Sequence, residues 1–130
     1  VLFGTVFISG ISAYPEKSDF ASEDFAAVFA GSLTALKKRG KAQVGDKTMI
    51  DALEPAVTAL WAHRGESVKS AFTAAAEAAR AGMEYTKTIP AKFGRARYYG
   101  EKAVGIQDPG ATSVWLIWRA MATWTENHAV

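Results

Sequence analysis

Apolar side chains recur at intervals of three or four residues along most of this chain, a spacing typical of helices that bury one face. No stretch alternates convincingly between apolar and polar residues, so the pattern does not favour a sheet. We predict an all-α protein whose helices form an antiparallel bundle, because the intervening loops are short. The five predicted helical segments are 1–13, 22–39, 48–61, 66–88 and 109–124.

Two of these segments leave an alternative open. Segment 1–13 is apolar and rich in small residues, which predicts a buried helix, but its β-branched residues are also compatible with a strand. In the third segment Pro55 interrupts the apolar stripe, so either the helix kinks there or its regular part begins near Glu54. The tryptophan-containing stripe of the last segment is most simply interpreted as core.

Residues suited to helix ends flank the predicted segments. Ser22 is a favourable N-cap, and Gly40 is suited to the position just after a helix. Thr48 and Asp51 have the spacing of a capping box, with aspartate in place of the usual glutamate or glutamine. We expect Asp46 and Asp51 to position their loop rather than to bind metal.

The stretch 94–113 carries the most distinctive local chemistry. Its first half is a basic loop that contains Gly94, Arg95, Arg97, Gly100, Lys102 and Gly105. Its second half predicts a helix start, with Asp108 as the cap and Pro109 in the first turn. A helix start leaves backbone N–H groups unpaired and carries partial positive charge, so basic side chains just before it favour a phosphate site. The alternative is an ordinary surface loop that leads into a well-capped helix.

Composition narrows the class of protein. The 130 residues suffice for one domain, and the absence of cysteine excludes disulfides, zinc–thiolate sites and cysteine nucleophiles. The net charge of +2 hides two basic clusters, because 37–47 and 87–102 each carry +4 and the remaining chain sums to −6. This distribution favours a single anionic ligand over a broad nucleic-acid surface. A helical nucleic-acid binder is a weaker hypothesis, since aromatic residues accompany the basic ones only at Tyr98 and Tyr99.

Several common catalytic and nucleotide-binding motifs do not occur. The sequence has no Walker A loop, no dinucleotide-binding glycine motif, no zinc-protease helix motif and no nucleophile elbow. His63 and His128 are most simply solvated histidines at helix ends. A helical protein of this kind that binds nucleotide would therefore need its own type of phosphate site.

Three motifs, in this order and spacing, closely resemble the ADP-binding L subunit of dihydroxyacetone kinase and the matching domain of the single-chain ATP-dependent kinases. They are 45–53 (GDKTMIDAL), 94–102 (GRARYYGEK) and 108–113 (DPGATS), and 2–5 and 38–42 fit the same family. The resemblance covers essentially the whole chain. It implies a barrel of eight antiparallel helices with nucleotide at one rim, of which our five helices would be the last five.

The resemblance also implies nucleotide contacts. The matching positions are the glycine after the basic helix end, the methionine of the adenine pocket, the arginine of the Gly-Arg-Ala motif and the loop that closes on the nucleotide. In this sequence they are Gly40, Met49, Arg95, Asp108, Pro109 and Gly110. Arginine can grip phosphate through two donors, and methionine offers a polarisable surface to a flat ring, although methionine more often simply fills the core.

The chain departs from the family pattern at several positions. Arg97 replaces a small residue and either adds a phosphate contact or points outward, of which we favour the second. Lys102 replaces arginine, and Ile106 replaces a frequent histidine. The family's acidic magnesium-binding motif and its phosphate loop have no match. Because phosphoryl transfer needs metal to neutralise charge, we expect this chain alone to be inactive. We expect further sequence upstream of Val1 to carry the magnesium ligands, with 1–130 as the C-terminal portion of one nucleotide-binding domain.

The expected function is therefore that of a phosphotransferase subunit or domain. It would hold ADP or ATP with Mg²⁺ and transfer a phosphoryl group to dihydroxyacetone, or to a related short ketose. The family holds this substrate covalently on a histidine of a partner K subunit or domain, so no catalytic residue is expected here. We expect a cytoplasmic location, without nucleic acid or a membrane as partner. Whether a phosphotransferase-system protein is the donor, and whether the protein is a homodimer, stays open. The alternative function is a non-catalytic helical interaction protein built on the same scaffold.

Overall fold

A computed structural model of the chain describes residues 2–12, 14, 16–17, 19–92 and 100–128. It contains five α-helices and, in these ranges, no strand, which confirms the all-α prediction and the number of helices. Short 3₁₀ turns occur at Thr86–Thr88 and Gly100–Ala103. The α-helices are α1 (Leu2–Ser12), α2 (Ser22–Gly40), α3 (Ile50–Ala62), α4 (Val68–Tyr85) and α5 (Pro109–Glu126).

Contacts at the helix ends show that consecutive helices are antiparallel. Arg39, near the end of α2, donates to the Thr5 hydroxyl near the start of α1 over 3.2 Å. At the opposite end, the Ser22 hydroxyl donates to the Glu66 carbonyl, which places the start of α2 beside the α3–α4 connection. The starts of α1, α3 and α5 therefore lie with the ends of α2 and α4 at one end of the bundle, which we call the upper end.

The core is built around one tryptophan. Trp118 is only 2% exposed, and its ring lies 4.9 Å from Phe29 and 5.6 Å from Phe72, centroid to centroid. Phe72 in turn contacts Phe25 edge-on, so α2, α4 and α5 share one aromatic cluster. The core interpretation of the last stripe is confirmed for Trp118 but is wrong for Trp124, which is 53% exposed and stacks on His128.

Helices α3 and α4 approach closely because small residues face each other. Ala71, Ala75 and Ala79 on α4 are fully buried. An ideal Cβ placed on Gly82 would overlap the Asp51 carbonyl of α3. Only glycine allows this approach.

Proline explains why that carbonyl is available. Pro55 lies inside α3, which runs on without a break, and its nitrogen has no hydrogen to donate to the Asp51 carbonyl four residues earlier. Gly82 packs against this carbonyl. The alternative in which the regular helix begins near Glu54 is therefore wrong, because α3 begins at Ile50.

Two of the predicted helix ends are corrected. Ala21, not Ser22, is the N-cap of α2, since the Ser22 hydroxyl is engaged by Glu66 and the Asp24 carboxylate accepts from the Ala21 N–H instead. Gly40 is the last residue of α2 rather than the residue after it. The left-handed conformation that usually selects glycine falls on Lys41, with φ of 57°.

Further differences concern α1, α3 and α4. Helix α1 is confirmed as a helix but is not fully buried, because Phe7 and Ile11 are 45% and 58% exposed. The capping-box prediction is confirmed in one half only: the Thr48 N–H donates to the Asp51 carboxylate over 2.8 Å, but α3 starts at Ile50. The fourth segment ends as an α-helix at Tyr85. None of the described helices is long and apolar enough to cross a membrane.

Candidate functional site

The starts of α3 and α5 touch at the upper end of the bundle. An ideal Cβ on Gly110 would lie 3.3 Å from the Met49 Cβ, 3.5 Å from the Met49 nitrogen and 3.1 Å from the Asp108 Oδ2. These distances are tight, so a side chain at position 110 would push the two helix starts apart. The structure therefore brings Met49 together with Asp108 and Gly110, which lie 59 or more residues later in the chain.

Asp108 is held rigidly at the start of α5. Its carboxylate accepts from the Ala111 N–H over 2.9 Å, and its own N–H donates to the buried Thr86 hydroxyl over 2.9 Å. Burial raises the pKa of the Asp108 carboxyl, whereas the N–H groups of Ala111 and Gly110 oppose this shift. The predicted cap at Asp108 and the predicted first-turn position of Pro109 are both confirmed.

Asp51 shapes the loop that enters α3. Its carboxylate, 1% exposed, accepts from the Gly45 N–H over 2.7 Å and from the Thr48 N–H over 2.8 Å. Asp46 accepts from the Gln43 N–H over 2.9 Å. Both aspartates position the loop, as predicted. Within the described residues, no three His, Cys, Asp or Glu side chains form a group that could hold a metal ion.

Lys47 is buried at the centre of this end, with 3% exposure and a left-handed φ of 61°. Its ammonium donates to the carbonyls of Ile89, Ala103 and Ile106, at 3.3 Å from Ile89 and 2.5 Å from Ile106. Burial lowers the pKa of Lys47, and the nearby Asp108 carboxylate partly opposes this shift.

Two other residues that the family resemblance assigns to the nucleotide site, Met49 and Gly40, lie in different surroundings. Met49 is only 6% exposed, belongs to the core and lines a small apolar pocket with Phe3, Leu53 and Val114 among others. Gly40 ends α2 at the upper end, where Lys37, three residues earlier, pairs with Glu54 of α3 at 3.0 Å.

Arg95 and Arg97 lie outside the described residues. The described stretches that end at Lys92 and resume at Gly100 both contact the loop that enters α3. The Lys92 N–H donates to the Asp46 carbonyl, and the Ala103 carbonyl accepts from Lys47. Lys102 is exposed.

Sequence reasoning missed three residues that organise this end: Lys47, Gly82 and Thr86. Lys47 stands in the first motif, where a lysine between two loop aspartates suggests a surface ion pair rather than a buried ammonium. Thr86 and Gly82 show no local signal, since their partners Asp108 and Asp51 lie more than twenty residues away.

Comparison with known proteins establishes the family to which this chain belongs. The family model of the DAK2 domain matches residues 1–123, and the chain therefore belongs to the DAK2 domain family. This result confirms the resemblance carried by the three motifs.

Individual relatives agree with this assignment. The chain is 38% identical over 123 residues to the PEP-dependent dihydroxyacetone kinase, ADP-binding subunit DhaL, of Escherichia coli, covering 93% of the chain and 59% of that protein. It is 40% identical over 122 residues to the L-erythrulose 1-kinase of Mycolicibacterium smegmatis, covering 92% of the chain and 21% of that enzyme. The chain thus spans less than two thirds of the length of these relatives.

A solved structure supports the same fold. The dihydroxyacetone kinase from C. freundii, in complex with AMP-PNP and Mg²⁺, matches with a TM-score of 0.68 and 29% identity. The match covers 95% of this chain and 19% of that one.

Proposed function

We propose that this chain is the C-terminal portion of a nucleotide-binding domain in a kinase of the dihydroxyacetone kinase type. The complete protein would bind ADP or ATP with Mg²⁺ in the cytoplasm. A partner K subunit or domain would present dihydroxyacetone, or a related short ketose, as the phosphoryl acceptor. The names of the relatives support this proposal, since they describe kinases and ADP-binding subunits.

The observation that carries the proposal is the convergence of two helix starts at Gly110. The starts of α3 and α5 bring the partial positive charge of two helix N-termini to the same end of the bundle. The missing side chain at Gly110 allows this close approach, because a Cβ there would meet Met49 and Asp108. Gly40, Met49, Pro109 and Asp108 would line or support this site, and Arg95 would grip the phosphates.

Magnesium does not fit the described residues. The carboxylates of Asp46, Asp51 and Asp108 accept from backbone N–H groups and hold the loops in place. We therefore assign this chain the nucleotide-positioning part of the site and expect the metal ligands in other sequence of the complete protein. The proposal leaves open whether a phosphotransferase-system protein is the phosphoryl donor and whether the complete protein forms a homodimer.

A binding experiment tests the proposal with two matched pairs of variants. We expect MgADP to bind the intact protein, and Arg95→Ala and Gly110→Ala each to weaken that binding about tenfold, equivalent to 1.4 kcal/mol. Arg64→Ala and Gly65→Ala serve as controls, because Arg64 bonds to Trp61 and the position of a Cβ on Gly65 is open space, both at the opposite end of the bundle. Isothermal titration calorimetry measures all five proteins.

The result also decides between this function and its alternative. If MgADP fails to bind the intact wild-type protein, the nucleotide proposal is wrong. A non-catalytic interaction protein would then be favoured, because Phe7 and Ile11 present an exposed apolar strip one turn apart on α1.

A further inference from the structure

We propose that Lys47 is a positioning residue of the nucleotide site, whose ammonium joins the chain leaving α4 and the chain entering α5 to the start of α3. The inference rests on the proposed function. It assigns Lys47 an indirect role, in which the lysine holds the site's backbone in place and does not itself contact the ligand.

The hydrogen bonds of Lys47 leave no donor for a ligand. An ammonium group has three N–H donors and no acceptor. The carbonyls of Ile89, Ala103 and Ile106 supply three acceptors, and the side chain is 3% exposed. Lys41 and Lys102, in contrast, are exposed and suited to ordinary surface roles.

The position of the acceptors gives the lysine its function. Ile89 follows the 3₁₀ turn after α4, whereas Ala103 and Ile106 precede the start of α5 at Pro109. One charged group therefore binds two flanks, the residue that follows α4 and its 3₁₀ turn and the residues that precede α5. Ile106 is two residues from Asp108, the cap that lies against Gly110.

The conformation of Lys47 is costly by itself. A left-handed φ is unfavourable for a residue with a Cβ, and a buried ammonium loses its hydration. The same low-polarity surroundings strengthen its bonds to the three carbonyls. If the ammonium were removed, the three carbonyls, of which the Ala103 carbonyl is buried, would lose this partner, so the two flanks would separate or take up water.

Two backbone bonds close the same region and provide local probes. The Gly105 N–H donates to the Lys87 carbonyl over 2.6 Å, and the Lys92 N–H donates to the Asp46 carbonyl over 3.2 Å. Hydrogen exchange at these two amides reports whether the flanks are still held, independently of nucleotide.

The experiment compares the wild type with Lys47→Ala in the intact protein. We expect Lys47→Ala to weaken MgADP binding at least tenfold and to accelerate exchange at the Gly105 and Lys92 amides at least tenfold. Propylammonium has the atoms that the substitution removes, so it should restore slow exchange and MgADP affinity. Tetramethylammonium carries the same charge without N–H donors and should restore neither.

A second variant separates positioning from general destabilisation. Gly10→Ala introduces a Cβ that would overlap Ser32 and Val28 in the α1–α2 contact, away from Lys47. We expect it to lower the urea midpoint without accelerating exchange at Gly105 or Lys92 and without changing MgADP affinity under conditions where the protein is folded.

The outcomes distinguish this inference from the proposed function. If wild type binds MgADP and Lys47→Ala binds it within twofold of wild type, the positioning role is wrong. It is also wrong if propylammonium and tetramethylammonium act alike. If wild type itself does not bind MgADP, the proposed function fails. Unchanged exchange at the Gly105 and Lys92 amides in Lys47→Ala would show that the ammonium does not hold the two flanks, and would overturn the structural part of the inference as well.

Discussion

Asp24 shows how much of the chain one carboxylate can organise. It accepts from the Tyr14 hydroxyl over 2.5 Å, from the Lys17 ammonium over 2.8 Å and from the Ala21 N–H over 2.9 Å. Three donors from the α1–α2 connection and the start of α2 thus meet at one side chain. The bonds from Lys17, Tyr14 and Ala21, in that order of effect, lower the pKa of Asp24 to about 2.

This pKa predicts the pH dependence of stability at the residue scale. Because the folded-state pKa lies below the ordinary value of 3.8, Asp24 stabilises the fold above about pH 4, and this contribution is lost as the pH falls towards 2. We expect Asp24→Asn to lower the urea midpoint at pH 6. The difference from wild type should shrink at pH 2, as measured by urea titrations at several pH values. A difference that stays constant over this range would contradict the assignment.

Single residues were predictable from sequence where their role is local. Asp108 directly precedes α5 and accepts from the Ala111 N–H three residues later, and Pro109 is the first residue of the helix. The cap could therefore be recognised in the sequence. Lys47 could not, because its carbonyl partners lie more than forty residues away and a lysine is ordinarily exposed.

At the scale of elements, the α3–α4 pair depends on two residues that oppose regular helices. Pro55 leaves the Asp51 carbonyl without its helical partner, and Gly82 allows α4 to pack directly against it. The carbonyl left without its helical donor and the space left by the missing side chain complement each other across the interface. The packing therefore tolerates proline within a helix that enters the candidate site.

Substitution of Gly82 tests this interface. We expect Gly82→Ala to destabilise the protein by about 1–3 kcal/mol, because the backbone of α3 cannot yield as a flexible side chain could. Gly31→Ala is the matched control. Its Cβ would lie 3.8 Å from Gly10, an ordinary contact, so the higher helix propensity of alanine should stabilise the protein by up to about 1 kcal/mol. Urea unfolding of both variants gives the comparison, and equal signs would contradict the packing argument.

At the scale of the whole molecule, the aromatic cluster joins helices that are distant in sequence. Trp118 of α5 contacts Phe29 of α2 and Phe72 of α4, and the pocket lined by Met49 lies against the same tryptophan. The core and the candidate site are therefore continuous. A cavity at Trp118 would affect both.

Two tryptophan variants measure how much the cluster contributes. We expect Trp118→Ala to destabilise the protein by about 3–5 kcal/mol, because it leaves a large cavity in the core. Trp124→Ala should cost less than about 1 kcal/mol, since Trp124 is half-exposed and its ring stacks on the exposed His128. Thermal unfolding monitored by circular dichroism distinguishes the two. Similar losses would show that the cluster is not the centre of the core.

The sequence by itself determined the five helices, the cap at Asp108 and the family, because periodicity, capping and motif spacing are recorded within short stretches of chain. Only the tertiary structure decided that Gly110 lies against Met49, that Gly82 packs on Asp51 and that Lys47 is buried among three carbonyls. These contacts join residues far apart in the chain. They arise from the close approach of packed helices, and no local pattern of side chains encodes which backbone groups will meet.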